Sequence, residues 1–213
     1  RLKGNGPKKL IIHKKKFIYL ISPKKINKSF YNDLSDVLKS KKISFFQLRV
    51  KKTSFETKLK IGRKIKKICK KYKTKFLIND DVILTKKLNA DGCHLGQRDM
   101  KISNARKILK KKIIGITCHN SFKLVKKAIL EKASYIALGA FYNSQTKKVI
   151  YKANIDTLKK IKKSTKIPIV AIGGINDKNY KNLLLNKADF LAISGYVWKN
   201  KKYKPHQAVK NLK

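Results

Sequence analysis

Acidic residues are scarce in this 213-residue chain, which has 11 Asp and Glu against 56 Lys and Arg and a formal net charge of +45. So basic a chain attracts anions, and a polyanion such as nucleic acid is one class of partner it could bind. The lysines, however, are spread along the sequence instead of being gathered into one tail or one arginine-rich patch, and no aromatic platforms are interleaved with them. We therefore favour a lysine-rich composition with solvated helix faces, no specific nucleic-acid partner, and loose binding at low salt only.

Cysteine is also scarce. Cys69, Cys93 and Cys118 lie far apart, form no CxxC motif and are odd in number. This pattern argues against a disulfide framework and favours the reducing cytoplasm. No apolar run approaches the roughly 20 residues of a membrane-spanning helix. The run at 17–21, which follows a basic stretch, is too short for a signal peptide. We expect a cytoplasmic protein without a membrane partner.

Short apolar runs alternate with segments of helical periodicity along the whole chain. The runs predict strands at 17–21, 43–49, 76–78, 93–95, 113–116, 135–138, 167–172 and 190–193. The segments between them predict helices at 27–40, 55–72, 82–88, 104–109, 122–131, 155–163 and 180–185, with Asn120 as a helix N-cap and a last helix interrupted near Pro205. Such alternation implies parallel strands, and eight units predict an α/β fold, a closed (βα)8 TIM barrel. A doubly wound open sheet shares the same local pattern.

A short internal sequence repeat supports the eight-unit interpretation. Similar triplets open the fourth, sixth and eighth strands, namely Ala90-Asp91-Gly92, Ala133-Ser134-Tyr135 and Ala188-Asp189-Phe190. The prediction is a single barrel domain over 17–213, preceded by a basic, weakly ordered arm over 1–16. The sequence leaves the oligomeric state open, a homo-oligomer included.

Two acids follow neighbouring strands in a chain that has few acids. Asp80 comes directly after the third strand and Asp99 closely follows the fourth. Parallel strands place their carboxyl ends on one side of the sheet, so the two carboxylates should lie close together. Magnesium prefers one or two carboxylates completed by phosphate oxygens and water. We therefore predict a magnesium site at Asp80 and Asp99, while Asp81 and Asp99 could instead serve as helix N-caps.

Two other acids, Asp91 and Asp189, precede their strands and should lie on the opposite, structural face of the barrel. The second strand ends with Gln47, Arg49 and Lys51 on one face, because side chains alternate along a strand. A guanidinium and an ammonium at this end suit a phosphate or diphosphate.

The remaining strand ends carry weaker signals. His119 follows the fifth strand and could position a substrate or move protons, or simply be hydrogen-bonded at the barrel rim. Two hydroxyls and an amine in the loop after the sixth strand could hold an anion. Paired residues at the last two strand ends would let backbone N–H groups approach a phosphate. These residues are Ser144, Gln145, Thr146 and Lys147 in the loop, then Gly173, Gly174, Ser194 and Gly195. Together the strand ends indicate an enzyme that joins two phosphorylated molecules and releases diphosphate.

These residues resemble the thiamine phosphate synthase family over nearly the whole chain, from about 17 to about 198. The matching motifs are Gln47-x-Arg49-x-Lys51, Ile78-Asn79-Asp80-Asp81, Ala90-Asp91-Gly92-x-His94-x-Gly96-Gln97-x-Asp99, Gly115-Ile-Thr-x-His119, Thr146-Lys147 and Ile167-Pro-x-Val-Ala-Ile-Gly-Gly174. The pair LINDD and HLGQxD is the most specific of them.

The resemblance implies a transferase reaction. A pyrimidine diphosphate, 4-amino-2-methyl-5-(diphosphooxymethyl)pyrimidine, loses diphosphate with magnesium assistance, and thiazole phosphate captures the pyrimidine carbocation to give thiamine phosphate. It further implies catalytic roles for Arg49, Lys51 and Lys147, which stabilise charge on the diphosphate, and Mg²⁺ bound by Asp80 and Asp99. By the same resemblance, Gln47, Asn79 and Thr117 would contact the pyrimidine diphosphate, and the thiazole phosphate would meet Ser144, Gln145, Thr146, Gly174, Ser194 and Gly195. Since leaving-group departure needs charge stabilisation, no general base of perturbed pKa is expected.

The chain departs from the family pattern at Arg98, Ala140, Asn143, Ser144 and Gly195. The thiazole tautomerase branch of the same superfamily is the nearest alternative. It shares the strand-five histidine but typically lacks the two aspartates and the Gln-x-Arg-x-Lys set. A nonenzymatic basic nucleic-acid binder is the alternative from another class.

Overall fold

Eight short parallel strands, each hydrogen-bonded to the next, close into a barrel through the pairing of β1 with β8. The computed structural model describes residues 16–143 and 150–213. The strands are β1 (Ile18–Ile21), β2 (Ile43–Leu48), β3 (Lys75–Asn79), β4 (Gly92–Leu95), β5 (Ile113–His119), β6 (Tyr135–Gly139), β7 (Ile169–Ile172) and β8 (Phe190–Ile193). The closed (βα)8 barrel is therefore confirmed and the open sheet is excluded.

Amphipathic helices alternate with the strands. They are α1 (Phe30–Lys39), α2 (Phe55–Lys71), α3 (Val82–Leu88), α4 (Ile102–Leu109), α5 (Phe122–Leu130), α6 (Ile155–Ser164), α7 (Tyr180–Leu185), α8 (Gly195–Trp198) and α9 (Pro205–Lys210). Lysines occupy the solvent faces, while α1, for example, buries Phe30, Leu34, Val37 and Leu38 at helical spacing. The lysine-rich composition and the apolar stripes are thus compatible within the same helices.

Strand residues alternate between two separate apolar clusters. The larger cluster packs the outward strand side chains against the helices. The smaller cluster fills the barrel interior and consists of Tyr19, Ile21, Phe45, Leu77, Tyr135, Ala137, Val170, Phe190 and Ala192. Their positions follow the period of two that a strand imposes, so the barrel is a packed core rather than a channel.

The short internal sequence repeat has a structural cause. The polar residue just before β4, β6 or β8 accepts a hydrogen bond from a backbone N–H at the start of the preceding strand. The bonds join Asp91 to Phe76 (2.9 Å), Ser134 to Ile114 (3.0 Å) and Asp189 to Ile169 (2.8 Å). All three lie at the base, by which we mean the end of the barrel where strands begin. Asp91 and Asp189 therefore have the structural role that the sequence predicts.

Two local predictions were wrong. Asn120 does not cap α5, because the helix begins one residue later than an Asn120 cap requires, and the Ser121 side chain accepts the Leu124 N–H instead (3.3 Å). Pro205 does not interrupt a helix but begins α9, since a proline at the first helical position loses no intrahelical hydrogen bond. The chain between Gly195 and Trp198 forms the separate short helix α8.

The three cysteines are free and buried within the described part of the chain. No helix among residues 16–143 and 150–213 is long and apolar enough to cross a membrane. The predicted arm over 1–16 lies, apart from Lys16, outside the described residues and stays a prediction.

Candidate active site

Asp80 and Asp99 meet at the mouth, by which we mean the end of the barrel where the strands finish. Asp80 follows the last residue of β3, and Asp99 lies in the loop after β4. Their carboxyl groups are close enough to interact as hydrogen-bond partners. Burial, and then this neighbouring carboxyl, raise the pKa of Asp80 above its usual range. Two acids that the chain places together at such a cost form a candidate cation site.

The backbone holds Asp80 in an uncommon conformation. Its φ is 63°, in the left-handed region where Asp and Asn are tolerated better than other side chains. Its N–H donates to the His94 carbonyl (2.8 Å), which ties the end of β3 to β4. Asp80 is thereby aimed over the mouth instead of continuing the strand.

Asp81 and Asp99, the two candidate helix caps, have different roles. Asp81 caps α3, because its Oδ1 accepts the Leu84 N–H at 2.8 Å. Asp99 caps no helix, since Lys101 occupies the N-cap position of α4. The Asp99 Oδ2 instead accepts the Gly96 N–H at 2.6 Å within its own loop. The capping alternative is therefore right for Asp81 and wrong for Asp99.

Cationic groups from the end of β2 face this acidic pair. Lys51 Nζ lies 3.8 Å from Asp80 Oδ2, with the lysine side chain 62% exposed. Lys51 and Arg49 both act to lower the pKa of Asp80, though less than burial and Asp99 raise it. The Arg49 N–H donates to the Ser22 Oγ (2.9 Å), which fixes the end of β2 against the loop after β1. The mouth thus combines two carboxylates with two cations.

This donor set fits magnesium completed by a phosphorylated substrate. Residues 16–143 and 150–213 contain no group of three or more His, Cys, Asp or Glu that could hold a metal ion. Two carboxylates are nevertheless what Mg²⁺ commonly takes from a protein when phosphate oxygens and water supply the remaining ligands. Asp80 and Asp99 would hold the ion, while Arg49 and Lys51 would balance charge on the phosphates.

Gln47 and Asn79 lie at different depths. Asn79 is the partly buried last residue of β3 and adjoins Asp80. Gln47 is buried, with 2% exposure, and its Nε2 donates to the Tyr19 Oη at 2.6 Å. Gln47 therefore belongs to the polar floor of the mouth, below the charged groups.

That floor contains three residues that sequence reasoning did not single out as functional. Tyr19, His94 and Tyr135 continue a hydrogen-bonded chain from Gln47 toward β5, with Tyr19 Oη 2.7 Å from Tyr135 Oη and His94 Nδ1 2.8 Å from the same Tyr135 oxygen. Burial lowers the pKa of His94 to about 4, so its ring is neutral at physiological pH. The period of two places all three side chains inside the barrel, and this was the signal available to find them.

Thr117 ends this chain, because its Oγ1 lies 2.9 Å from His94 Nε2. The Thr117 carbonyl accepts from Gln97 Nε2 (2.5 Å), which links β5 to the loop that carries Asp99. His119 lies at the end of β5, where its ring packs against the Tyr151 ring with centroids 4.0 Å apart and planes tilted by 31°. The structure thus brings Thr117 to the candidate site through hydrogen bonds and places His119 at the rim.

The glycine pair after β7 has positive φ at both residues, 109° at Gly173 and 60° at Gly174. Close packing also requires glycine at both positions, since a side chain at Gly173 would collide with Ala140 and one at Gly174 with Asn143. The Tyr142 N–H donates to the Gly173 carbonyl (3.1 Å), so the loop after β6 lies against the pair.

Ser194 and Gly195 connect β8 to α8. The Ser194 hydroxyl donates to the Ser22 carbonyl (3.2 Å), and Gly195 is the first residue of α8. They lie at the mouth beside the glycine pair, as the sequence predicts. The predictions for Ser144, Gln145, Thr146 and Lys147 fall outside the described residues.

Comparison with known proteins finds clear relatives of this chain. The family model for thiamine monophosphate synthase matches residues 18–197, which is most of the chain. The thiamine-phosphate synthase of Pelagibacter ubique is 67% identical over 200 residues, covering 93% of this chain and 97% of that protein. The thiamine-phosphate synthase of Fusobacterium nucleatum is 42% identical over 165 residues, covering 76% and 79%.

Solved structures give the same result. The thiamine phosphate pyrophosphorylase from Pyrococcus furiosus superposes with a TM-score of 0.82 at 28% identity, covering 93% of this chain and 94% of that one. The orotidine 5'-phosphate decarboxylase from Pyrococcus horikoshii, at 12% identity and a TM-score of 0.64, shares the fold alone. From the family match, the identities and the barrel together, the chain belongs to the thiamine monophosphate synthase family.

Proposed function

We propose that this chain is a transferase that condenses 4-amino-2-methyl-5-(diphosphooxymethyl)pyrimidine with thiazole phosphate to give thiamine phosphate and diphosphate. The observation that carries the proposal is the meeting of Asp80 with Asp99 beside Arg49 and Lys51. An acidic pair next to two cations suits magnesium and diphosphate bound together. The two carboxylates would bind the magnesium ion, and the two cations would bind the diphosphate.

The difficult step in this reaction is departure of diphosphate from the pyrimidine methylene. Arg49 and Lys51 would bind the diphosphate oxygens and stabilise the negative charge that grows as the carbon–oxygen bond breaks. Magnesium, held by Asp80 and Asp99, would supply further charge neutralisation to the leaving group. The thiazole nitrogen then bonds to the pyrimidine carbocation, so no side chain needs to remove a proton.

The other predicted contacts are assigned by depth. Asn79 adjoins the metal ligands and would bind the diphosphate substrate, while buried Gln47 would face its pyrimidine end. The Thr117 hydroxyl would donate a hydrogen bond to the diphosphate. On the opposite side of the mouth, Gly174, Ser194 and Gly195 would receive the thiazole phosphate. The resemblance assigns Lys147 to the diphosphate and Ser144, Gln145 and Thr146 to the thiazole phosphate.

We place the reaction in the cytoplasm, because three buried free thiols suit a reducing compartment. The net charge of +45 would draw both anionic substrates toward the mouth without requiring a nucleic-acid partner.

The test is a coupled assay of the purified protein with both substrates and magnesium. Thiamine phosphate and diphosphate should appear in equal amounts, and omission of either substrate should abolish thiamine phosphate. Isomerisation of a thiazole tautomer without thiamine phosphate would contradict the proposal and favour the thiazole tautomerase alternative.

A further inference from the structure

A continuous line of hydrogen bonds crosses the barrel interior from β2 to β5. It runs through Gln47, Tyr19, Tyr135, His94 and Thr117, with successive distances of 2.6, 2.7, 2.8 and 2.9 Å. Each link joins side chains of different strands, and the first three residues are buried. Polar groups in such a place must be satisfied by one another, so the direction of each donor matters.

Counting donors fixes that direction. Gln47 Nε2 can only donate, so Tyr19 Oη accepts that bond and must send its own hydrogen elsewhere. Its other partner within the described residues is the Tyr135 hydroxyl, which therefore accepts from Tyr19. Tyr135 then has its single hydrogen left for His94 Nδ1. A nitrogen that accepts a hydrogen bond carries no proton, so the His94 proton lies on Nε2.

We propose that Tyr135 is a positioning residue that holds His94 as the Nε2–H tautomer, which makes His94 a donor to Thr117 and directs the Thr117 hydroxyl hydrogen toward the substrate. The Thr117 oxygen accepts the Nε2–H, so its own hydrogen is not needed inside the barrel. The consequence for catalysis rests on the proposed function, in which Thr117 donates to the diphosphate.

The surroundings of Tyr135 support this assignment. Gly115 lies directly against the Tyr135 ring, and a side chain at Gly115 would occupy the space of that ring. The His94 and Tyr135 rings are stacked, with centroids 5.7 Å apart and planes 20° apart. Burial raises the pKa of both tyrosines, which keeps them protonated as donors. Tyr135 is thus held in place by packing as well as by its two hydrogen bonds.

The tautomer can be measured without substrate by ¹⁵N NMR of histidine-labelled protein at neutral pH. The His94 signals are assigned by their loss in His94→Gln. In the wild type we expect His94 Nε2 to carry the proton and Nδ1 to resonate as an unprotonated ring nitrogen. Tyr135→Phe keeps the ring beside Gly115 but removes the donor to Nδ1, so we expect the proton to move partly or wholly to Nδ1.

Two variants make the test specific. Tyr19→Phe leaves the Tyr135 hydrogen bond to His94 in place, so the Nε2–H tautomer should persist. Tyr180→Phe changes another buried tyrosine, whose hydroxyl donates to the Lys213 carbonyl (2.8 Å) and takes no part in this line of hydrogen bonds, and should leave both tautomer and kcat unchanged. Tyr135→Phe should lower kcat by about tenfold, the equivalent of one hydrogen bond, with little change in KM.

An Nδ1–H tautomer in the wild type would overturn the proposal, even if Tyr135→Phe failed to fold. So would an unchanged tautomer in folded Tyr135→Phe, or a conversion to Nδ1–H in Tyr19→Phe. Absence of thiamine phosphate synthesis by the wild type would instead contradict the proposed function and leave the tautomer result standing.

Discussion

Aspartates occur at both ends of the barrel, in opposite surroundings. At the base, Asp189 is 15% exposed, accepts the Ile169 N–H at 2.8 Å and pairs with Lys162 at 2.6 Å. At the mouth, Asp80 faces a second carboxylate, and Lys51 Nζ stands 3.8 Å from its Oδ2.

We interpret the difference as one between structural acids at the base and the proposed functional acids at the mouth. A carboxylate beside a lysine and a backbone N–H strengthens the fold, because both the lysine and the N–H donate hydrogen bonds to the charged carboxylate. A carboxylate beside another carboxylate weakens the fold unless a cation joins them, so its presence indicates a ligand. The same substitution, Asp to Asn, should therefore have opposite effects at the two ends.

Asp80→Asn should produce the largest effect on activity. Loss of one of the two proposed magnesium ligands should lower kcat on the order of a thousandfold, since a metal supplies several kcal/mol of charge stabilisation. The melting temperature should not fall, because Asn tolerates the positive φ of Asp80 and the like-charge contact with Asp99 disappears. Steady-state kinetics and thermal melts measure both effects. A marked loss of thermal stability would place Asp80 with the structural acids.

Arg49→Ala should rank second, with turnover reduced by about a hundredfold through loss of a charged donor to the diphosphate. Arg63→Ala is the matched control, because Arg63 lies on the exposed face of α2. The control should retain full activity, and both variants should keep the circular dichroism spectrum of the wild type. A fully active, folded Arg49→Ala protein would refute the diphosphate site.

Asp189→Asn should act on the fold alone. Replacing the charged acceptor should cost about 1–2 kcal/mol of unfolding free energy, measured in urea, with kcat per folded molecule unchanged. Asp36→Asn is the control, because the Asp36–Lys39 pair is nearly as short at 2.7 Å but solvent-exposed, and its loss should change stability little. A fall in kcat without a loss of stability in Asp189→Asn would reverse the assignment of the two ends.

The smallest effect concerns pH. Because the folded pKa of Asp80 is raised, the folded state holds this proton more tightly than the unfolded chain. Metal-free wild type should therefore lose stability relative to Asp80→Asn as the pH rises from the ordinary carboxyl pKa through the raised value. Urea unfolding in EDTA at several pH values measures the difference. A stability difference that stays constant with pH would mean that Asp80 is not perturbed.

Much of this comparison could be read from the sequence, because periodicity and strand ends are local signals. The bounds of α3, α7 and β8 agree with the predicted segments, and the position of Asp80 after β3 followed from strand direction alone. The hydrogen-bonded line through Tyr19 and Tyr135 could not be read in this way, since those residues are 116 positions apart and meet only when the barrel closes. The Asn120 cap failed because neighbouring polar residues compete for one capping position.

The central claim is that the mouth acids hold magnesium for departure of diphosphate. The most direct test is the rate of diphosphate release from the pyrimidine diphosphate, with thiazole phosphate present, in magnesium and in EDTA. The account predicts release that depends on magnesium in the wild type, is lost in EDTA and returns when magnesium is restored. Equal rates in magnesium and in EDTA would contradict it.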